Sequence, residues 1–198
     1  MLKLIKNYWP TALAGLILLT ALTGAYAKYV TERSLTGTLT VHANIGTVIV
    51  QEHKVTEPQS DGSYTLSGET TDSNTYSVVL PGLDLPKDPH VVISGVTADI
   101  PVYVFIKVEN NTLPNTMTYE LRDDWKSVDG HAGVYVYSDT NGPVQVTGDR
   151  TVYILTNNEI VVSQELLHST VGDWELSFSA CMKQYVTGQS AKQIYENS

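Results

Sequence analysis

The feature that most limits how this chain can fold is an alternation of apolar and polar residues with a period of two. Along residues 35–45 one set of alternate positions is apolar or glycine, namely Leu35, Gly37, Leu39, Val41, Ala43 and Ile45. The positions between them are polar and rich in threonine. Successive side chains of a strand point to opposite sides, so this pattern predicts a long strand with one apolar and one wet face. Gly46 ends that strand.

Short apolar runs separated by turn signals continue along the rest of the chain. After a new run that begins at Val48, further strands are predicted at 64–66, 76–80, 90–94, 102–108, 117–121, 133–137, 151–155, 160–162 and 174–182. Dipeptides such as Asp129-Gly130 and Asn141-Gly142 favour hairpin turns between several of them. The run 102–108 is apolar on both faces at its start, which is typical of a central strand. The pattern predicts an all-β antiparallel sandwich.

One helix is predicted in this domain, at Ser190–Glu196, with Ser190 as its N-cap. The chain has no internal repeat and no low-complexity linker. We therefore expect residues 28–198 to form a single domain.

The N-terminus reads as an export signal. Lys3 and Lys6 precede an apolar stretch over residues 12–22, and Ala25-Tyr26-Ala27 forms an A-x-A cleavage site. Residues 1–27 are thus predicted to be a signal helix that is cut between Ala27 and Lys28. The alternative is a retained anchor, since residues 8–27 just reach the length of about 20 residues that spans a bilayer. The short apolar stretch favours cleavage, and with it a secreted protein that is tethered to the membrane only before cleavage.

Charge and cysteine content exclude several classes of function. The net charge of −9 repels phosphate backbones, so we expect no nucleic-acid partner. Cys181 is the only cysteine, which excludes an intrachain disulfide and a Cys-rich metal site.

A search for catalytic motifs finds none. The five histidines include no H-E-x-x-H pair, and Glu52-His53 is the nearest fragment, without a second histidine beside it. There is also no Gly-x-Ser-x-Gly elbow and no glycine-rich phosphate loop. We therefore expect no enzyme, no catalytic residue, no cofactor and no metal.

Two weaker patterns have a structural and a functional interpretation. Acidic residues at Asp123, Asp124 and Asp139 suggest a weak calcium site, although a hairpin turn explains the last of them better. Trp125 with Tyr135 and Tyr137 suggests a sugar-stacking platform, although alternating aromatic residues more often pack across strands.

Three segments together resemble a known family. The signal ending, Thr23 to Tyr29, looks like those cut by the dedicated SipW-type signal peptidase. The block Leu80-Pro81-Gly82, Lys87-Asp88-Pro89, Ile93 and 100–108 is similar to the "PG…KDP…I…PaYvyvkV" block of TasA/camelysin-like secreted proteins. Residues 178–184 are similar to that group's last strand before a short C-terminal helix.

The resemblance implies a jelly-roll-like β-sandwich, export from a Gram-positive-type cell and assembly into extracellular fibres of a biofilm matrix. It implies as partners the SipW-type signal peptidase, further copies of the chain, and an anchor or minor fibre protein. Some members carry a metallo-endopeptidase label, but the usual zinc spacing is missing here, so no protease residue is carried over. The chain is also shorter than TasA and has no long insertions between strands.

Signal cleavage suggests how such a subunit could assemble. The new terminus is a short extended segment formed by Lys28, Tyr29, Val30, Thr31, Glu32, Arg33 and Ser34. An extended peptide of this kind can add to an exposed sheet edge of a neighbouring molecule. Such head-to-tail addition does not close, so it would build a filament.

Two alternatives to a fibre subunit stay open. A monomeric surface-binding module for a glycan or host protein would need a discrete aromatic or acidic patch. A metal-dependent protease would need histidine and carboxylate side chains that converge in space.

Overall fold

The computed structural model of the protein describes residues 30–32, 45–166 and 173–197. Thirteen strands lie in these ranges: β1 Val30–Glu32, β2 Thr47–Val55, β3 Leu66–Thr71, β4 Leu85–Pro86, β5 His90–Ser94, β6 Val102–Asn111, β7 Met117–Thr118, β8 Trp125–Ser127, β9 Val134–Asp139, β10 Gly142–Pro143, β11 Arg150–Tyr153, β12 Glu159–Val162 and β13 Leu176–Gln184. A short 3-10 helix covers Thr156–Asn158, and helix α1 covers Ala191–Glu196.

The strands form three antiparallel sheets. The largest has the order β1-β13-β6-β9-β10, with β8 also paired to β9. A four-stranded sheet has the order β11-β5-β2-β3, and a three-stranded sheet has the order β4-β12-β7. All three contribute buried side chains to one apolar core, for example Ile93, Ile106 and Ile160. The all-β antiparallel fold predicted from the sequence is therefore confirmed.

The largest sheet is covered on both of its faces. Val102, Val104 and Ile106 of β6 face the main core. Tyr103 and Phe105, which alternate with them, face a second apolar cluster that includes residues of α1. This double coverage explains why the start of β6 is apolar on both faces, and it confirms the predicted central strand.

Helix α1 starts where the sequence predicts. The Ser190 hydroxyl accepts a hydrogen bond from the Gln193 backbone N–H, and the Gln193 side chain accepts one from the Ser190 backbone N–H. This reciprocal capping satisfies two amide groups that a helix start otherwise leaves unpaired. Ala191 and Ile194 are buried, so the apolar side of the helix packs on the sheet.

Two predicted strands differ from the structure. Residues 76–80 are not a strand, because the backbone N–H of Val78 donates to the hydroxyl of Tyr64 rather than to a neighbouring strand. Tyr64 itself also lies outside β3, which starts at Leu66. Most of the other predicted strands are present with small shifts of their ends, and β5 coincides with its predicted range.

The predicted signal helix and the predicted long strand at 35–45 fall almost wholly outside the described residues. Within the described ranges, no helix has the length and apolarity needed to cross a membrane.

Gly46 precedes β2 and is tightly enclosed. Its φ of +89° lies in the left-handed region, and an added Cβ would come within 2.4 Å of the carbonyl oxygen of Ser94. We expect Gly46→Ala to lower the free energy of unfolding by about 1–3 kcal/mol, because alanine is strained at this φ. Gly68→Ala is the control, since a Cβ there meets nothing within 4 Å. Urea unfolding measures both variants, and equal stability of the two would contradict the prediction.

Candidate functional site: a sheet edge and a histidine–aspartate cluster

Part of the predicted assembly segment lies at the edge of the largest sheet. Val30, Thr31 and Glu32 form β1, which pairs antiparallel with Lys183, Met182 and Cys181 of β13 in the same chain. The other side of β13 pairs with β6 along its whole length, across one irregularity near Ser177. The strand β1 thus covers three of the nine residues of β13.

The remaining residues named for assembly and cleavage are outside the described ranges. These are Ala25, Ala27, Lys28, Tyr29, Arg33 and Ser34. Within one chain β1 pairs with β13 through backbone groups, which make the ladder of any sheet.

The Lys87-Asp88-Pro89 motif holds β2 from both sides. On the inner side, the Nζ atom of Lys87 donates to both carboxylate oxygens of Glu52, at 3.0 and 3.3 Å. Both side chains are largely buried, with exposed fractions of 10% and 4%. This is a buried ion pair that links β2 to the segment before β5.

On the outer side, Asp88 binds His53 through two hydrogen bonds. Its Oδ1 atom accepts the backbone N–H of His53 at 2.8 Å, and its Oδ2 atom lies 2.5 Å from the Nδ1 atom of His53. The Asp88 side chain is only 4% exposed, while the His53 side chain is 31% exposed.

A second histidine completes this cluster. His90 starts β5 and is buried, and its Nδ1 atom lies 2.9 Å from the backbone carbonyl oxygen of Asp88. The ring centroids of His53 and His90 are 5.3 Å apart. The ring of Tyr153, the cross-strand partner of His90 on β11, packs on its other side at 5.1 Å. We name His53, Asp88 and His90 the histidine–aspartate cluster.

Tyr76 closes the inner side of the motif. Its hydroxyl donates to the carbonyl oxygen of Pro86. Burial, and then the negative charges of Glu52 and Asp88, raise the pKa of the Tyr76 phenol above its ordinary value. The phenol therefore keeps its proton and stays a hydrogen-bond donor.

A cavity of about 500 Å³ opens beside the buried ion pair. Its lining includes Glu52, Lys87, Tyr76, Trp174 and Phe178. The wall thus combines apolar and aromatic side chains with the ion pair and with further polar residues, among them Asp72, Asn74 and Glu175.

The aromatic pattern and Asp139 have structural explanations. Trp125 is buried, its ring packs on Tyr137 at 5.6 Å and its Nε1–H donates to the carbonyl oxygen of Tyr153. This is cross-strand packing within the core rather than a sugar platform. Asp139 accepts the backbone N–H of Asn141 in the turn between β9 and β10, as a hairpin predicts.

Sequence reasoning missed the histidine–aspartate cluster. Both halves were visible as Glu52-His53 and Lys87-Asp88-Pro89-His90, but 35 residues separate His53 from Asp88. The antiparallel register that pairs Gln51 with His90 brings them together. Knowledge that β2 pairs with β5 would have revealed the cluster, but no local sequence pattern indicates this pairing.

Comparison of the chain with protein-family models, with curated proteins and with solved structures finds no match.

Proposed function

We propose that this protein is an exported, non-enzymatic structural subunit of extracellular or cell-surface fibres of the kind found in a biofilm matrix. Copies of the chain join head to tail by strand exchange after signal cleavage. The observation that supports this proposal best is the position of β1. Its three residues belong to the segment that signal cleavage would leave at the new N-terminus. They also form the edge strand of the largest sheet.

The geometry of that edge suggests how exchange would work. The strand β1 adds to β13 through backbone pairing, so a copy of the same segment from a neighbour can make the same ladder. The exchanged contacts are then identical to those within one chain, and exchange of an identical element is a low-cost route to assembly. Each subunit gives one strand and receives one, so the chain of subunits continues without closing.

The resemblance to TasA/camelysin-like proteins suggests which other proteins would take part in assembly. A SipW-type peptidase would cut after Ala27 and free the segment, and an anchor or minor fibre protein would hold the fibre at the cell surface. Before the cut, the membrane-bound signal would keep the segment from reaching a neighbour, so cleavage would act as the assembly switch.

The test compares two chains by negative-stain electron microscopy and analytical ultracentrifugation. The chain that starts at Lys28 is expected to form filaments. The chain that starts at Leu35, which lacks Lys28–Ser34, is expected to stay a folded monomer, with folding checked by its thermal unfolding transition. Filaments of normal width from the shorter chain would overturn strand exchange and point to lateral contacts between sandwiches.

Variants at Val30 and Thr31 of β1 provide a matched control. Val30→Pro together with Thr31→Pro removes the N–H groups of two successive residues, of which one faces β13 in an antiparallel ladder, so this variant is expected to abolish filaments. Thr31→Val keeps the backbone and has high β-propensity, so it is expected to keep them. Equal filament yields from the two variants would contradict the proposed role of β1.

A further inference from the structure

We infer that the histidine–aspartate cluster is a binding site for a divalent transition-metal ion of the zinc type. One ring nitrogen from each histidine and one carboxylate oxygen of Asp88 lie within 4.8 Å of one another. Two imidazoles with a carboxylate are a donor set that suits such ions. This inference is independent of fibre assembly and does not assign catalysis.

The hydrogen bonds of His90 prepare it as a ligand. A carbonyl oxygen can only accept, so the Nδ1 atom of His90 carries the proton that is donated to Asp88. In the neutral ring the lone pair is then on Nε2, which accepts a hydrogen bond from the side-chain amide of Gln51 at 3.2 Å. A metal ion at Nε2 would displace this amide. Fixing one ring nitrogen by a backbone carbonyl is how metal-binding histidines are commonly oriented.

Asp88 is held in the same way. It is buried, and the backbone N–H of His53 fixes its Oδ1 atom. Its Oδ2 atom accepts a hydrogen bond from the Nδ1–H of His53, and a metal ion would take the place of that hydrogen because metal ligands must be deprotonated.

His53 is the ligand that can move. Its side chain is 31% exposed, whereas those of the other two ligands are buried. Ligand atoms around a tetrahedral Zn²⁺ lie roughly 3.3–3.6 Å apart, given metal–ligand bonds of roughly 2.0–2.2 Å. The Nδ1 atom of His53 lies only 2.5 Å from the Oδ2 atom of Asp88, so this pair must move apart, whereas ligand atoms that are up to 4.8 Å apart must approach. A turn of the partly exposed His53 ring away from Asp88 and toward His90 provides both changes. Water from the open side would fill the remaining positions.

His53 and His90 are on neighbouring strands, so a bound ion would join β2 to β5. Through Asp88 it would also join both strands to the Lys87-Asp88-Pro89 motif. A ligand that binds only the folded state stabilises it by mass action. Metal binding is thus expected to raise the melting temperature as well as to give a calorimetric signal.

The experiment titrates Zn²⁺ into the tag-free full-length chain, held in mild detergent, by isothermal titration calorimetry. We expect one ion per chain, and we expect His53→Gln to weaken binding by about tenfold or more. The matched control is His131→Gln. The His131 side chain is 29% exposed and also lies beside a carboxylate, with Nε2 3.1 Å from Glu196, but it is not part of the cluster.

The Zn²⁺ affinities and the melting temperatures of the two variants decide whether the site exists. Weaker Zn²⁺ binding and a smaller rise in melting temperature for His53→Gln alone support the site. No binding by the unaltered chain at millimolar Zn²⁺, equal affinity for His53→Gln, or equal weakening by His131→Gln would each overturn it. Because the His53 side chain is partly exposed, we expect the variant to fold, and its unfolding transition without Zn²⁺ checks this.

Discussion

Replacing Lys87 by methionine is expected to lower the free energy of unfolding by about 3–5 kcal/mol, because it leaves a buried charge without its partner. Glu52 accepts both of its hydrogen bonds from the Nζ atom of Lys87, and it is only 3% exposed as a residue. Without Lys87 its carboxylate would be removed from water with no compensating cation. Urea unfolding followed by circular dichroism measures the change.

Strand β2, which carries Glu52, also carries a lysine that serves as a matched control. Lys54 of β2 pairs with Glu69 of β3 at 3.9 Å, but these side chains are 61% and 78% exposed. Exposed ion pairs contribute roughly 0–1 kcal/mol, so Lys54→Met is expected to change stability little. Comparable losses for the two lysine variants would contradict the prediction.

A double variant separates the cost of the lone charge from the value of the pair. Replacing Glu52 by leucine together with Lys87→Met removes both charges, and stability is expected to recover in large part. If the double variant is no more stable than Lys87→Met alone, the loss comes from packing rather than from the unpaired carboxylate.

Ile106→Ala is expected to cost about 2–5 kcal/mol, because it deletes a large apolar side chain at the centre of the core. Ile106 is 1% exposed and lies on β6, the strand between β13 and β9. Its neighbours in the sheet, Ala180 on β13 and Tyr135 on β9, are fixed by backbone pairing, so the surrounding structure can close the cavity only in part.

Ile49→Ala is the control for this loss. Ile49 is also on a strand, β2, but it is 42% exposed. Surface substitutions away from special features usually change stability by about 0.5 kcal/mol or less. Thermal and urea unfolding of both variants test the difference, and a loss for Ile106→Ala as small as that for Ile49→Ala would show that β6 is not the centre of the core.

The two candidate sites place different demands on the same sandwich. The β1–β13 edge needs a strand that can leave and rejoin, and β1 is held by a ladder of three residues. The histidine–aspartate cluster lies on the four-stranded sheet, where Lys87 and Asp88 hold β2 from its two faces. Assembly and metal binding can therefore be tested by separate variants.

Local signals in the sequence determined most of the secondary structure. The alternation over 102–108 predicts β6 with its double-sided apolar start, because the two faces of a strand are read directly from alternate residues. The cap at Ser190 predicts the start of α1, because capping depends on residues three positions apart. Turn dipeptides such as Asn141-Gly142 mark hairpin ends for the same local reason.

The predicted strand at 76–80 fails because alternation describes side chains and not the partner of each backbone group. The segment contains Tyr76 and Val78, which fit a strand by type. In the folded chain the hydroxyl of Tyr64 accepts a hydrogen bond from the backbone N–H of Val78, and the hydroxyl of Tyr76 donates one to the backbone carbonyl of Pro86. These contacts come from elsewhere in the chain, so only the tertiary structure decides them.

The histidine–aspartate cluster illustrates the same limit most clearly. The sequence predicts the strand that begins at His90, but it does not show that β2 includes His53 or that β2 and β5 pair with Gln51 opposite His90. Register between strands that are distant in sequence is set by how whole faces pack into the core, and a shift of one residue would send the side chains to the other face. The sequence by itself therefore determined the all-β sandwich and its central strand, while the tertiary structure decided which side chains meet, because that depends on the summed packing of three sheets.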